Sequence, residues 1–283
     1  MNADDFGFSA GVNRGILEVA AAGVVTSVSV LVNAPGWEDG LDRLAAWPEL
    51  GVGLHLNLTV GEPVGRREGG GGGGGGPSSG RTLVDARTGR FHSLAGLVAR
   101  ALAGRIDPDE VAAECAAQLA RLRAARPTVT HLDSHRHVHV LPGVWRAVVA
   151  TARSHGVDVV RRPLEPVAAA PVNWRALAKR AALAAAWRVA ARGVASPRHA
   201  DRFVGISLQG RRGFLEAVLA LLDRLQPGTT ELMVHPGHPD GTLAEWDDYV
   251  APRAAELTAL TSDAVRERCR RGDFRLTHFG ALA

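Results

Sequence analysis

The chain alternates between two hydrophobic patterns along its length, and this alternation constrains the fold more than any other feature. Apolar residues at helical spacing alternate with β-branched runs typical of strands. Helices are predicted at 11–22, 37–47, 108–126, 144–155, 174–192, 214–225 and 262–271, and strands at 24–32, 51–58, 128–133, 157–161, 231–234 and 274–277. Strands that alternate with helices are typical of parallel β/α units, so we predict an α/β fold.

The first residues depart from this pattern. The segment from Asn2 to Gly7 is acidic and turn-like, and no apolar strand precedes it. We therefore expect the first strand of the sheet to be missing, with Met1 standing where that strand should end. Such a loss would leave the carboxylates of Asp4 and Asp5 without a rigid support.

A glycine-rich stretch divides the first half of the chain. The eight glycines from Gly69 to Gly76 lie inside a polar stretch at 61–90, which cannot offset the entropy lost on ordering. We predict a flexible surface insertion within one domain spanning residues 1–283. A phosphate-binding role is not expected, since the run lacks the Lys-Ser/Thr ending and the following helix of such loops.

Composition excludes several classes of protein. The calculated pI is 9.9, yet the basic residues are scattered arginines with a single lysine, so nucleic-acid binding is not expected. The two cysteines lie far apart, which argues against disulfides and cysteine metal cages. No run is apolar enough to span a membrane and no signal peptide is present, so we expect a cytoplasmic protein. A homodimer is left open.

A histidine-rich segment begins at the end of the predicted strand 128–133. His131, Asp133, His135, His137 and His139 occupy alternate positions, and one strand carrying all five would aim them at one face. Imidazole is the commonest side-chain metal ligand, so this face is a candidate metal site. The alternative is a polar strand end whose imidazoles are satisfied by hydrogen bonds.

Four polar clusters follow predicted or inferred strands, around Asp4 and Asp5, His55, His135 and His235. In β/α barrels the carboxyl ends of the strands build the active site. Carboxylate and imidazole without thiolate fit a hydrolytic Zn²⁺, Mg²⁺, Mn²⁺ or Co²⁺ site. Of two adjacent aspartates, one can bind the cation while the other accepts a proton from water.

At these residues the sequence resembles the YdjC-like carbohydrate deacetylase family. The likeness spans nearly the whole chain and rests jointly on the motifs Asn2-Ala3-Asp4-Asp5-Phe6-Gly7, Gly53-Leu54-His55-Leu56-Asn57-Leu58-Thr59, Thr130-His131-Leu132-Asp133-Ser134-His135 and Met233-Val234-His235-Pro236-Gly237. The resemblance implies a distorted, TIM-like β/α barrel. It also implies a metal-dependent hydrolase that removes acetyl groups from N-acetylated sugars, such as chitooligosaccharides or a glycan or glycolipid that contains N-acetylglucosamine.

The same resemblance implies roles for single residues. Asp5, His55 and His135 would hold the divalent metal, and Asp4 matches the catalytic base. His235 matches a histidine that could protonate the departing amine as an imidazolium. Arg161 aligns with an arginine that orients the base or the substrate, and a plain salt bridge is the alternative.

Two other functions stay open at this point. A metal-dependent sugar isomerase or phosphoesterase would keep the barrel, although such sites often use more carboxylates or a second metal. An inert sugar-binding barrel would keep the fold without the reaction.

Overall fold

One curved sheet of parallel strands organises the molecule. A computed structural model describes residues 1–65, 82–166 and 174–282, and within these ranges the sheet has six strands curled into a half-barrel. Its strands are β1 (Asn2–Phe6), β2 (Ser27–Val30), β3 (Gly51–Leu56), β4 (His131–Ser134), β5 (Arg202–Val204) and β6 (Thr230–Val234), in the spatial order β4-β3-β2-β1-β6-β5. The predicted α/β class is confirmed.

Strand β1 corrects the expectation that the first strand is missing. The acidic segment is itself a strand in the middle of the sheet, with all five residues buried. Asn2 pairs in parallel register with Ser27 of β2 and Met233 of β6. Strand propensity predicts no strand here, because Asn and Asp disfavour strands. In the fold, the polar side chains of β1 have buried hydrogen-bond partners, which hold Asp4 and Asp5 from both sides.

Ten helices surround the sheet in the described part of the chain. They are α1 (Ala10–Ala21), α2 (Trp37–Ala45), α3 (Leu94–Leu102), α4 (Pro108–Ala125), α5 (Trp145–Ser154), α6 (Trp174–Ala190), α7 (Phe214–Leu222), α8 (Gly241–Trp246), α9 (Ala251–Leu260) and α10 (Asp263–Arg270). The seven predicted helices are all found, whereas α3, α8 and α9 were not predicted. None of the helices within the described ranges is both long and apolar enough to cross a bilayer.

Helix α4 shows how the sequence sets these elements. Asp107 caps the helix by accepting a hydrogen bond from the backbone N–H of Asp109, and Pro108 opens the first turn. The face bearing Val111, Cys115, Leu119 and Leu122 is buried in the core between helices and sheet, as the spacing predicts. The cysteine is a free, buried core residue.

Within the described residues, the sheet continues beyond β4 as isolated bridges, from Leu132 to Val160 and from Val159 to Arg198. The predicted strand at 157–161 is therefore reduced to bridge residues. The predicted strand at 274–277 is wrong, since these residues form no ladder. Complete closure into a TIM-like barrel stays a prediction.

Most of the predicted insertion at 61–90, including the glycine run, lies outside the described residues. Its two ends pack against the domain. The backbone N–H of Val64 donates to Glu114 Oε1 at 2.9 Å, and Val84 pairs with Phe91 in an antiparallel bridge. Single-domain organisation stays a prediction.

Candidate metal and catalytic site

The carboxyl ends of four strands bring the predicted polar clusters to one cavity. Asp4 and Asp5 lie on β1, His55 on β3, His135 directly after β4 and His235 directly after β6. All five side chains line a cavity of about 1070 Å³. Parallel strands place their ends at the same edge of the sheet, which is why segments so distant in sequence meet here.

Asp5 lies between two imidazoles. Its Oδ1 atom is 3.2 Å from His55 Nε2 and 2.9 Å from His135 Nδ1. These three side chains are buried and offer ligand atoms that all lie within 4.8 Å of one another. Asp5 has a φ of 71°, an uncommon conformation for a residue with a side chain, and the surrounding packing must hold it there.

The partners around these three residues suit a divalent cation. His55 Nδ1 lies 2.7 Å from Asp133 Oδ1, which fixes the ring so that Nε2 faces Asp5. His135 Nε2 is buried with no hydrogen-bond partner. A second arrangement of possible ligands, Asp4, His55 and Asp133, lies beside the first. The donor set of one carboxylate and two imidazoles therefore fits a metal.

Charged groups in this cluster shift one another's pKa values. Although burial opposes the charged form, Arg253 and His135 hold the pKa of Asp5 well below its usual range. Arg253 Nη2 donates to Asp5 Oδ2 at 2.6 Å. Burial likewise opposes a charged His55, but Asp133 and Asp4 raise the pKa of His55 to about 10. In the absence of a cation, a proton on His55 balances the buried carboxylates.

Asp4 is fixed by a two-pronged contact with Arg161. The guanidinium donates from Nη1 to Asp4 Oδ2 and from Nη2 to Asp4 Oδ1, both at 2.7 Å. Arg161 is fully buried and also contacts Asp133 Oδ2 at 2.5 Å and Glu231 Oε1 at 2.6 Å. This placement favours orientation of Asp4 over contact with a substrate.

His235 belongs to a chain of hydrogen bonds. Lys179 Nζ donates to Gln209 Oε1 at 2.7 Å. The amide nitrogen of the same Gln209 side chain lies 3.3 Å from His235 Nε2. An ammonium can only donate, so the amide nitrogen must face the ring, and His235 carries its own proton on Nδ1. This Nδ1 is buried without a partner. Burial lowers the pKa of His235 to about 4, which favours a neutral ring in the resting protein at neutral pH.

The histidine-rich segment does not continue as one strand. Strand β4 ends at Ser134, and a 3-10 segment with left-handed backbone at Arg136 and His137 follows. The expectation that alternate positions share one face is therefore wrong beyond Asp133, because the chain turns there.

The remaining histidines of this segment serve other contacts. His131 stacks on Phe279 with ring centroids 4.0 Å apart, and His139 Nδ1 lies 2.6 Å from Ser134 Oγ. These two rings are satisfied inside the protein, as the alternative interpretation held. His137 lines the cavity, with its Nδ1 buried and unpartnered.

Sequence reasoning placed Asp133 on the candidate metal face with His131 and His135, but it assigned no role to two other residues of this network. Glu231 and Arg253 carried no local signal, because their partners lie 70 and 248 positions away in the chain.

The chain is similar to known proteins along nearly its whole length. The family model described as YdjC-like protein matches residues 1–271. A protein of Geobacillus stearothermophilus named carbohydrate deacetylase is 34% identical, over 98% of this chain and 95% of its own. A protein of Klebsiella pneumoniae (strain 342) named chitooligosaccharide deacetylase is 32% identical, over 98% of this chain and 95% of its own.

A solved structure is similar over the same extent. A proposed cellobiose-phosphate cleavage protein of Enterococcus faecalis V583 has a TM-score of 0.75 and 25% identity, and the match covers 100% of this chain and 97% of that one. The agreement of the family model, the relatives and the fold leads to one conclusion: the chain belongs to the YdjC-like protein family.

Proposed function

We propose that this protein is a metal-dependent hydrolase that removes the N-acetyl group from N-acetylated sugars. The observation that carries this proposal is the meeting of Asp5, His55 and His135 beside a second carboxylate, Asp4, in one cavity. Similar proteins named carbohydrate and chitooligosaccharide deacetylases support the substrate class. A TIM-like barrel would present such a site at its mouth.

Asp5, His55 and His135 would hold the cation. Mixed carboxylate and imidazole ligands suit Mg²⁺, Zn²⁺, Mn²⁺ or Co²⁺. When bound, such an ion lowers the pKa of water and stabilises negative charge on a carbonyl oxygen. The contact from Asp133 to His55 would keep the ligating nitrogen aimed at the ion, as second contacts of this kind do in metal sites generally.

Asp4 would accept the proton of the attacking water. Its Oδ1 accepts hydrogen bonds from both Asn2 and Arg161, whereas Oδ2 accepts one from Arg161. Oδ2 therefore keeps more capacity for a proton from water. The two-pronged contact with Arg161 holds the carboxylate in one orientation, which is what a general base requires.

His235 would donate a proton to the amide nitrogen of the substrate. A free amine anion is a very poor leaving group, so the nitrogen must be protonated as the bond to the acetyl carbon breaks. Gln209 fixes the tautomer that carries hydrogen on Nδ1, the atom with no protein partner. Because the resting ring is neutral, the proton that Asp4 removes from water would first pass to His235, and the ring would then donate as an imidazolium and return to its neutral form.

Acetate release from N-acetylglucosamine oligomers by the metal-replete protein is the direct test. Asp4→Asn keeps a similar shape and should reduce turnover at least about a hundredfold, the size of a general-base contribution, while cation binding measured by calorimetry persists. Unchanged turnover in that variant would reject Asp4 as the base.

The products formed from other sugars distinguish the alternative functions. Phosphate release from sugar phosphates, with no acetate from any N-acetylated sugar, would favour the phosphoesterase alternative, and conversion between aldose and ketose would favour the isomerase. An absence of all three activities would favour the inert sugar-binding barrel.

A further inference from the structure

The cavity that holds the candidate site has two chemically different ends. Asp4, Asp5, His55, His135 and His235 form its polar end. The rest of the lining includes one side of each of two helices, α3 and α6, and this part of the cavity is called its second end. Both ends belong to one continuous cavity of about 1070 Å³.

The walls of the second end are apolar. Helix α3 contributes side chains four residues apart, and α6 contributes side chains three residues apart, so each helix presents one stripe. The apolar stripes consist of Leu94, Val98 and Leu102 from α3 and Leu183, Ala186 and Val189 from α6. Lys179 of α6 also lines the cavity, where it donates to Gln209 beside His235. Leu102 and Val189 are 73% and 52% exposed, so large apolar surface at the rim is left in contact with water.

This surface does not suit a second sugar ring. Sugars present hydroxyl groups on every edge, and a site for them needs hydrogen-bond donors and acceptors or a flat aromatic face. The six apolar side chains of the two stripes offer neither, and the polar and aromatic lining residues Arg136, Asp248 and Tyr249 belong to other segments. The cavity volume of about 1070 Å³ also reaches the upper end of the range of about 300–1,000 Å³ that is typical of pockets for drug-sized ligands. A single sugar ring would not fill it.

The geometry points to a substrate whose acetylated amino sugar is attached to an apolar group. We infer that the sugar occupies the polar end and that an apolar aglycone lies between α3 and α6. The apolar cleft is continuous with the candidate catalytic residues, so the reacting substrate itself is the occupant. This inference rests on the proposed deacetylation and narrows its substrate class to glycolipids.

A series of alkyl N-acetylglucosaminides, from methyl to octyl, tests the inference with the metal-replete full-length protein. Below the critical micelle concentrations, kcat/KM for acetate release should rise about two- to fourfold for each added methylene, the gain expected from burying that group. The octyl glycoside should also exceed the N-acetylglucosamine disaccharide as a substrate. The same length dependence should appear in the dissociation constants of the Asp4→Asn variant, which reports binding without turnover.

The double variant L102S/V189S should reduce the octyl-to-methyl ratio of kcat/KM at least tenfold. The matched control L177S changes a leucine of α6 that is 50% exposed but does not line the cavity, and should keep the ratio. Length-dependent binding without acetate release would leave the cleft assignment standing and reject the deacetylase proposal. Acetate release without length dependence would overturn the cleft assignment alone. A dimer that L102S/V189S dissociates, again without length dependence, would assign the cleft to a second copy and also overturn it.

Discussion

Binding of the metal should release a proton from His55. Asp133 and Asp4 outweigh burial and raise the pKa of His55 to about 10, and this ring is one of the three proposed ligands. A ligating nitrogen must be deprotonated, so the cation has to displace that proton. At pH 7 the pKa lies about three units above the pH, which costs about 4 kcal/mol, or about a thousandfold in apparent affinity, relative to a deprotonated ring.

Two measurements check this prediction. Titration calorimetry with Co²⁺ at pH 7.5, in two buffers of different ionisation enthalpy, should show about one proton released per ion. Apparent affinity should rise about tenfold for each unit of pH between 6.5 and 8.5. An apparent affinity that does not change with pH, together with no proton release, would refute the prediction that His55 is protonated before the metal binds.

The Asp133→Asn variant tests whether the released proton comes from His55 or from a water molecule bound to the metal. The variant removes one of the anions that raise the pKa of His55, so proton release at pH 7.5 should fall well below one per ion. Because the contact that aims the ring is also weakened, affinity should drop about 10- to 100-fold. Proton release equal to that of the unchanged protein would show that the proton comes from elsewhere.

Three further predictions concern stability. Arg161→Gln leaves three buried carboxylates without their cation and should lower the free energy of unfolding by about 3–5 kcal/mol in urea titrations; a loss below 1 kcal/mol would contradict this. Gly53→Ala places a methyl group against the ring of His131 and should lower the free energy of unfolding by about 1–3 kcal/mol. Gly241→Ala places its methyl group in open space and should lower it much less. Equal losses in the two variants would reject the packing argument. Burial lowers the pKa of His131 to about 3, so this ring's contribution to stability is present above the unfolded value of about 6.5 and is lost as the pH falls toward 3. When the pH falls from 7.5 to 5.5, the free energy of unfolding of the His131→Gln variant should therefore decrease by about 1.4 kcal/mol less than that of the unchanged protein. Identical pH profiles of stability would contradict this prediction.

Much of the candidate site follows from the sequence because of one rule of parallel sheets. Polar residues at the carboxyl ends of strands meet at one edge, so the motifs around Asp5, His55, His135 and His235 could be assigned to a common cavity before any distance was known. The helices that flank them were predictable from hydrophobic spacing and caps, as at Asp107 of α4.

The sequence alone gave the wrong result where long-range contacts outweigh local preference. Strand β1 is rich in residues that disfavour strands, yet it lies at the centre of the sheet because Arg161 and Arg253 stabilise its carboxylates. The turn after Ser134 likewise redirects His137 and His139, which alternation had placed on one face.

By itself, the sequence determined the α/β class, most helices and the identity of the polar residues that gather at the strand ends, because these depend on local periodicity and on the order of the elements. Only the tertiary structure decided the directions in which the pKa values of His55 and His235 shift, the partners of Asp4 and Asp5, and the apolar stripes of α3 and α6. Each of these depends on burial and on contacts between residues far apart in the chain, and no local pattern records such distances.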